Sequence, residues 1–180
     1  MRLTSGDQTT GNGEQKVFHK EETMSYQNFE KALELAKQCK YYTIIGERSD
    51  EVVAKAEGLF NHKFSKQNYE FFKRLGYLSF FGHEFFGICK DDFTGEHAGC
   101  AIEATLQDRK ELNLPPTWLT LYFFDDGYYG YLDYSQLNEE GEPPVIMAIY
   151  NGRENVVVER VADDFGDFLL NLVKEQLDNQ

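Results

Sequence analysis

Cysteine is scarce in this 180-residue chain. Its three residues, Cys39, Cys89 and Cys100, are an odd number at scattered spacings with no Cys-x-x-Cys pair. That pattern argues against a disulfide framework and against a thiolate zinc site, and for reduced thiols in a cytosol. Long apolar runs are missing too: none approaches the ~20 residues of a membrane span. The N-terminus has no apolar core behind a basic region, so no secretory signal is expected. The protein is therefore expected to remain in the cytoplasm where it is made.

Positive charge is in short supply. Eighteen Lys+Arg against 31 Asp+Glu leave a formal net charge of -13 and a pI near 4.7. Such a field repels phosphate backbones and anionic membrane surfaces, so neither nucleic acid nor membrane is an expected partner. A basic protein is the favoured one, because opposite potentials speed encounter and reject wrong partners. The plainer reading is that the charge only keeps the protein soluble. Catalytic patterns are lacking as well. There is no glycine-rich phosphate loop and no local nucleophile–base signature, so no enzyme and no cofactor is expected. His83-Glu84, Asp91-Asp92, Glu96 and His97 fit no standard metal spacing, and no metal site is expected. Cys89 and Cys100 lack the motif of a cysteine hydrolase and read as small apolar residues.

What is present suits one globular domain: 41% hydrophobic and 15% aromatic residues, in a chain long enough to bury a core. Residues 1–23 stand apart as a polar, glycine-rich, unpatterned arm or tag, leaving 24–180 as the body. The body reads first as helices. Ser25 to Lys40 carries the stripe Phe29, Ala32, Leu33, Leu35 and Ala36. Ser49 opens a second helix, and Ser65 a third that stops at Gly76. From Tyr77 the period turns to strands: Tyr77–Phe81, Glu84–Cys89, Trp118–Phe124, Tyr128–Tyr134, Val145–Tyr150 and Asn155–Arg160, after a short Tyr41–Ile45. A helix over Gly99–Asn113 interrupts them and another from about Asp163 to Leu177 closes the chain. Helices, then a meander, then a terminal helix predict an α+β fold: one mostly antiparallel sheet of five to six strands under N-terminal and C-terminal helices.

The most informative stretch is Asp125-Asp126-Gly127-Tyr128-Tyr129-Gly130-Tyr131-Leu132-Asp133. It reads as a turn on Asp-Gly feeding a strand with alternating aromatics. Asp125, Asp126 and Asp133 serve the turn in one reading and form an anionic patch for a partner's Arg and Lys in the other. Tyr129 and Tyr131 share one strand face, while Tyr128, Leu132 and Tyr134 share the other. One set is core; the other lines a groove, where tyrosine gives contact area at low entropic cost. Glu139, Glu140 and Glu142 fall in a turn that is either simply solvated or a rim contact. The expected partner-binding set is Asp125, Asp126, Tyr128, Tyr129, Tyr131, Asp133, Glu139 and Glu140.

Several segments in this order resemble one family. Ser49 to Glu57 resembles the helix that opens domains of the SUKH superfamily, which joins Smi/Knr-like cell-wall-assembly regulators with bacterial immunity proteins. Phe64 to Gly76 is similar to its next helix, with Phe64-Ser65 where Leu-Pro is usual and Leu75-Gly76 where Asn-Gly is usual. Leu119 to Asp126 followed by Gly130 to Asp133 resembles the family's Asp-Gly and aromatic-strand segment, and Pro144 to Tyr150 the strand after it. Val161 to Leu169 is similar to its closing helix. Asp91 to Asn113 has no counterpart. The resemblance implies an immunity protein that neutralises a nuclease toxin by binding it, without catalysis, so that an acidic surface occludes a basic groove. A regulatory scaffold of the cell-wall type is the alternative, and a small hydrolase using His83, Glu84 and the aspartates a more distant one. Oligomeric state and the gripping sheet face are left open.

Overall fold

The structure, a computed structural model, describes residues 23–95 and 98–179. Of the expected arm over residues 1–23 all but Thr23 lies outside the described residues, His19 included, as do Glu96 and His97. The body begins with α1 (Met24–Ala36), capped by Thr23, whose hydroxyl accepts the N–H of Tyr26. Ser25, the expected cap, is instead buried in the first turn, donating to Asp164 at 2.7 Å. After β1 (Thr43–Ile44) come α2 (Asp50–Phe60) and α3 (Lys66–Leu75). Ser49 Oγ accepts the N–H of Val52, and Asp50 and Glu51 occupy the first turn of α2, where the helix dipole favours acids. Ser65 stands at the N-cap of α3 without a side-chain cap bond.

The strands β2 (Leu78–Phe80), β3 (His83–Phe85), β4 (Trp118–Phe123), β5 (Tyr129–Asp133), β6 (Val145–Tyr150) and β7 (Asn155–Ala162) follow, with α4 (Ala101–Glu111) between β3 and β4 and α5 (Phe165–Asp178) at the end. The sheet is a seven-stranded antiparallel meander in the order β1 to β7. That is the expected α+β architecture, with more strands than the expected five to six because the two-residue β1 pairs with β2. The β2–β3 hairpin turns on Phe81 and Gly82, both at positive φ. At the far edge, β7 pairs with β6 through two register shifts. These bulges, with Glu159 and Arg160 on the edge strand, spoil a flat template for further strand addition.

One sheet face is covered by α1, α3 and α5. Phe165 is the hub: its ring lies 5.1 Å from Phe71 and 5.9 Å from both Phe29 and Phe85. Fully burying each such ring contributes roughly 1.5–3 kcal/mol. Beside them Gln67, wholly buried, joins the three helices. Its amide donates to Ser25 and Asp164, and its carbonyl oxygen accepts the N–H of Gly166 at 2.6 Å. The chain leaving β3 presses just as closely. A Cβ on Gly87 would lie 1.9 Å from the carbonyl oxygen of Gly76, so only glycine fits there.

The other face is covered only in part. β4 carries a register shift between Thr120 and Tyr122, so the alternation slips along the strand. Leu119 and, past the shift, Tyr122 join the main core, while Trp118 faces a smaller cluster with Leu114, Tyr131, Ile146 and Ala148. α4 lies over this second face: Thr105 and Thr120 share a hydrogen bond of 3.1 Å, and Asn155 donates to the carbonyl of Leu112 at the helix end.

Candidate functional site

The partly open second face carries a run of aromatic rings. Trp118 and Tyr131 lie 5.4 Å apart, Tyr131 and Tyr129 6.1 Å, and Tyr129 and Phe123 4.9 Å. Register explains the alignment, since Tyr131 pairs with Thr120 and Tyr129 with Phe123 across β4 and β5. Exposure rises along the run: Trp118 and Tyr131 are buried, Tyr129 is half-buried and Phe123 is 45% exposed. Tyr129 and Tyr131 thus share a face as the pattern predicts, but Tyr131 is 1% exposed and forms the floor of the site rather than a contact. That corrects its place in the expected partner-binding set.

α4 supplies an acid at the rim of this aromatic floor. Asp108 is half-buried, its Oδ2 3.5 Å from the Tyr131 hydroxyl. Burial pushes its carboxyl up to about 6, against the pull of hydrogen bonds from Tyr131 and Thr120, and the charge of Glu111 adds to the rise. Burial likewise raises the Tyr131 phenol, so it stays neutral. Among the described residues no cation offsets that charge; holding a half-buried carboxylate so costs stability, and groups kept this way concentrate at functional sites. Sequence patterning missed Asp108 because nothing in a single helix reveals which acid leans onto a sheet.

The remaining expected residues divide into two places. Asp125 and Asp126 form the exposed turn between β4 and β5, with Asp126 at φ 62, and Tyr128 is half-buried just after it. The turn therefore adjoins the Phe123–Tyr129 end of the aromatic run. Asp133 is 2% exposed, and its carboxylate accepts from the Ser135 N–H and hydroxyl and from the Gln136 amide. It fixes the turn after β5 and takes no part in a surface patch. Glu139 and Glu140 are exposed but sit at the opposite end of five-residue β5, roughly 15 Å away from the Asp125 turn. Glu142, expected in the same exposed turn, is 4% exposed and accepts the N–H of Gln67.

Glu139 and Glu140 line a different cleft of about 460 Å³ with Asn28, Asp163, Asp164 and Asp167. Most acids there already have structural work. Asp164 caps α5 and holds Ser25 and Gln67, Asp167 accepts from the Asn28 amide, and Asp163 pairs with Arg160. The negative charge is thus not gathered into one patch.

The residues weighed for chemistry stay apart. His83 Nδ1 lies 2.6 Å from the Tyr122 hydroxyl, and burial pushes its pKa down, while Glu84 is exposed. Burial lifts the Tyr122 phenol to about 12. Asp91 pairs with Arg48. Among the described residues no group of three or more His, Cys, Asp or Glu side chains is placed to hold a metal ion. No helix among them is long and apolar enough to cross a membrane.

A model of the SUKH_6 family, described as SMI1-KNR4 cell-wall, matches residues 50–169, more than half of the chain. No curated protein matches it. The chain belongs to the SUKH family, and the match spans α2 to the first turns of α5, the aromatic run and its turn included.

Proposed function

We propose that this protein is a non-catalytic binder of a cationic protein, acting in the cytoplasm as an immunity protein that covers the basic groove of a nuclease toxin. The second sheet face would be the gripping surface. One observation carries the reading: half-exposed Tyr129 and exposed Phe123 continue a buried aromatic floor, with Asp108 on one side and the Asp125-Asp126 turn on the other. Rigid aromatics give contact area at little entropic cost, and the acids select a basic partner. A partner's Arg or Lys seated beside Asp108 would relieve the penalty that the free protein carries there. The net charge of -13 supports the same partner, since a groove that holds phosphates is itself basic.

The test takes nuclease domains found among the products of the neighbouring genes. Calorimetry should show binding that weakens steeply with salt, and nuclease activity should fall as the complex forms. Tyr129→Ala and the double change Asp125→Asn, Asp126→Asn should each weaken binding by roughly tenfold or more, about 1.4 kcal/mol. Absence of binding at low salt, or binding untouched by both variants, overturns the reading. A regulatory scaffold of the cell-wall type is the second reading, favoured by the family description alone; it predicts binding partners but no nuclease inhibition.

A further inference from the structure

Two of the three cysteines, separated by ten residues in the chain, meet where the strand end after β3 passes the start of α4. An isolated parallel bridge joins Gly87 to Cys100, with Gly87 N–H donating to the Gly99 carbonyl and Ala101 N–H to the Gly87 carbonyl. Cys89, two residues beyond Gly87, faces the same way as Cys100 across that bridge. Its sulfur lies 3.7 Å from the Ala98 carbonyl oxygen and 3.8 Å from where a Cβ on Gly99 would stand. The two thiols are close enough to shift each other's pKa, Cys89 upward and Cys100 downward. Cys100 is fully buried, whereas Cys89 is partly exposed and lines a shallow surface cleft with Arg48, Lys90, Asp91 and Asp92.

We propose that Cys89 and Cys100 form a redox-active dithiol that closes reversibly to a disulfide on exchange with a small-molecule disulfide. The roles follow from access and environment. Cys89 is the sulfur an outside reagent can reach. Cys100 is the N-cap of α4, where the helix dipole favours a negative sulfur. Its pKa is lowered first by the Cys89 thiol and further by the N–H groups of Cys89 and Lys90, against burial. In the first step the Cys89 sulfur, whose interaction with Cys100 and whose burial raise its pKa so that a base in solvent must take its proton, attacks the reagent RSSR. One RS–SR bond breaks, a Cys89–SR bond forms and RSH leaves. In the second step the Cys100 sulfur attacks the Cys89 sulfur, displacing a second RSH as the Cys89–Cys100 bond forms. Two thiols are oxidised and one disulfide is reduced to two thiols, so electrons and protons balance. Closure ties the N-terminus of α4, the helix that carries Asp108, to the strand end after β3.

The experiment uses the full chain, reduced and then exposed to glutathione redox buffers of increasing oxidised fraction. Thiols still free are trapped by alkylation under denaturing acid quench, and peptides are mapped by mass spectrometry. Cys89 and Cys100 should vanish from the alkylated pool together, joined in one linked peptide, while buried Cys39 remains alkylated. Reducing agent should restore both. In Cys100→Ser, where the second step is blocked, a glutathione adduct on Cys89 should accumulate instead. Independent loss of the two thiols, a stable adduct on Cys89 while Cys100 is present, a link to Cys39, or no reaction in fully oxidised buffer overturns the proposal. Because the native chain gives the main readout, the result stands even if a variant folds poorly.

Discussion

Asp108→Asn should stabilise the free protein at neutral pH. The carboxyl has an ordinary value of 3.8 and is raised to about 6 in the fold. An acid raised this way binds its proton more tightly when folded than when unfolded. Folding is therefore penalised by deprotonation: the penalty is mostly absent at about pH 4, grows through the window from about 4 to 6, and is complete by pH 7. The gap from 3.8 to about 6 corresponds to ~3 kcal/mol. Asp108 is only half-buried, at the rim of the sheet, and solvent screening reduces this to ~1–2 kcal/mol. Asparagine keeps the shape and can still accept from Tyr131 and Thr120, so it removes the charge and little else. Thermal melts of the native protein and the variant at pH 7.5, 6, 5 and 4 measure the difference directly. The variant should melt roughly 3–6 °C higher at pH 7.5, and the gap should shrink as pH falls, mostly gone at pH 4. His83 titrates in both proteins, so it cancels from the difference. A variant no more stable at pH 7.5, or a gap that persists unchanged at pH 4, refutes the reasoning. The same substitution should weaken capture of a basic partner. Stability gained with binding lost would mark Asp108 as kept for function at the expense of the fold.

Other consequences are local. His83 is buried enough to hold its pKa below the ordinary 6.5, so the fold resists protonating it and stability should decline as pH drops below about 6.5. In urea titrations between pH 7 and 5.5, His83→Gln should flatten that decline; an unchanged slope counts against a buried, neutral imidazole. Gly87→Ala has no room, because the added methyl meets the Gly76 backbone at 1.9 Å. It should cost on the order of 3 kcal/mol or more, read as a lowered urea midpoint or loss of soluble protein, and a near-native midpoint would show that the two backbone segments can part.

Much of the architecture was legible in the chain. The stripe Phe29, Ala32, Leu33 and Ala36 and the acids after Ser49 mark helices by local physics alone, and both helices are present. Val145–Tyr150 is a strand over the range its apolar run predicts. Even β1 was visible as a segment, though its pairing was not, because two residues carry little signal until β2 lies beside them. The site was read less well. Asp133 and Glu142 look like any exposed acids in a turn; burial and their partners Ser135, Gln136 and Gln67 appear only once distant segments pack.

Sequence by itself determined the acidic balance, the helix and strand periods and the family, because each depends on composition or on residues close together in the chain. Tertiary structure alone decided which tyrosine is floor and which is rim, that the acids lie at opposite ends of β5, that Asp108 leans on Tyr131, and that Cys89 meets Cys100. Those outcomes depend on register, on the β4 bulge and on where α4 lands. They are contacts between segments far apart in the chain, which local propensity does not encode.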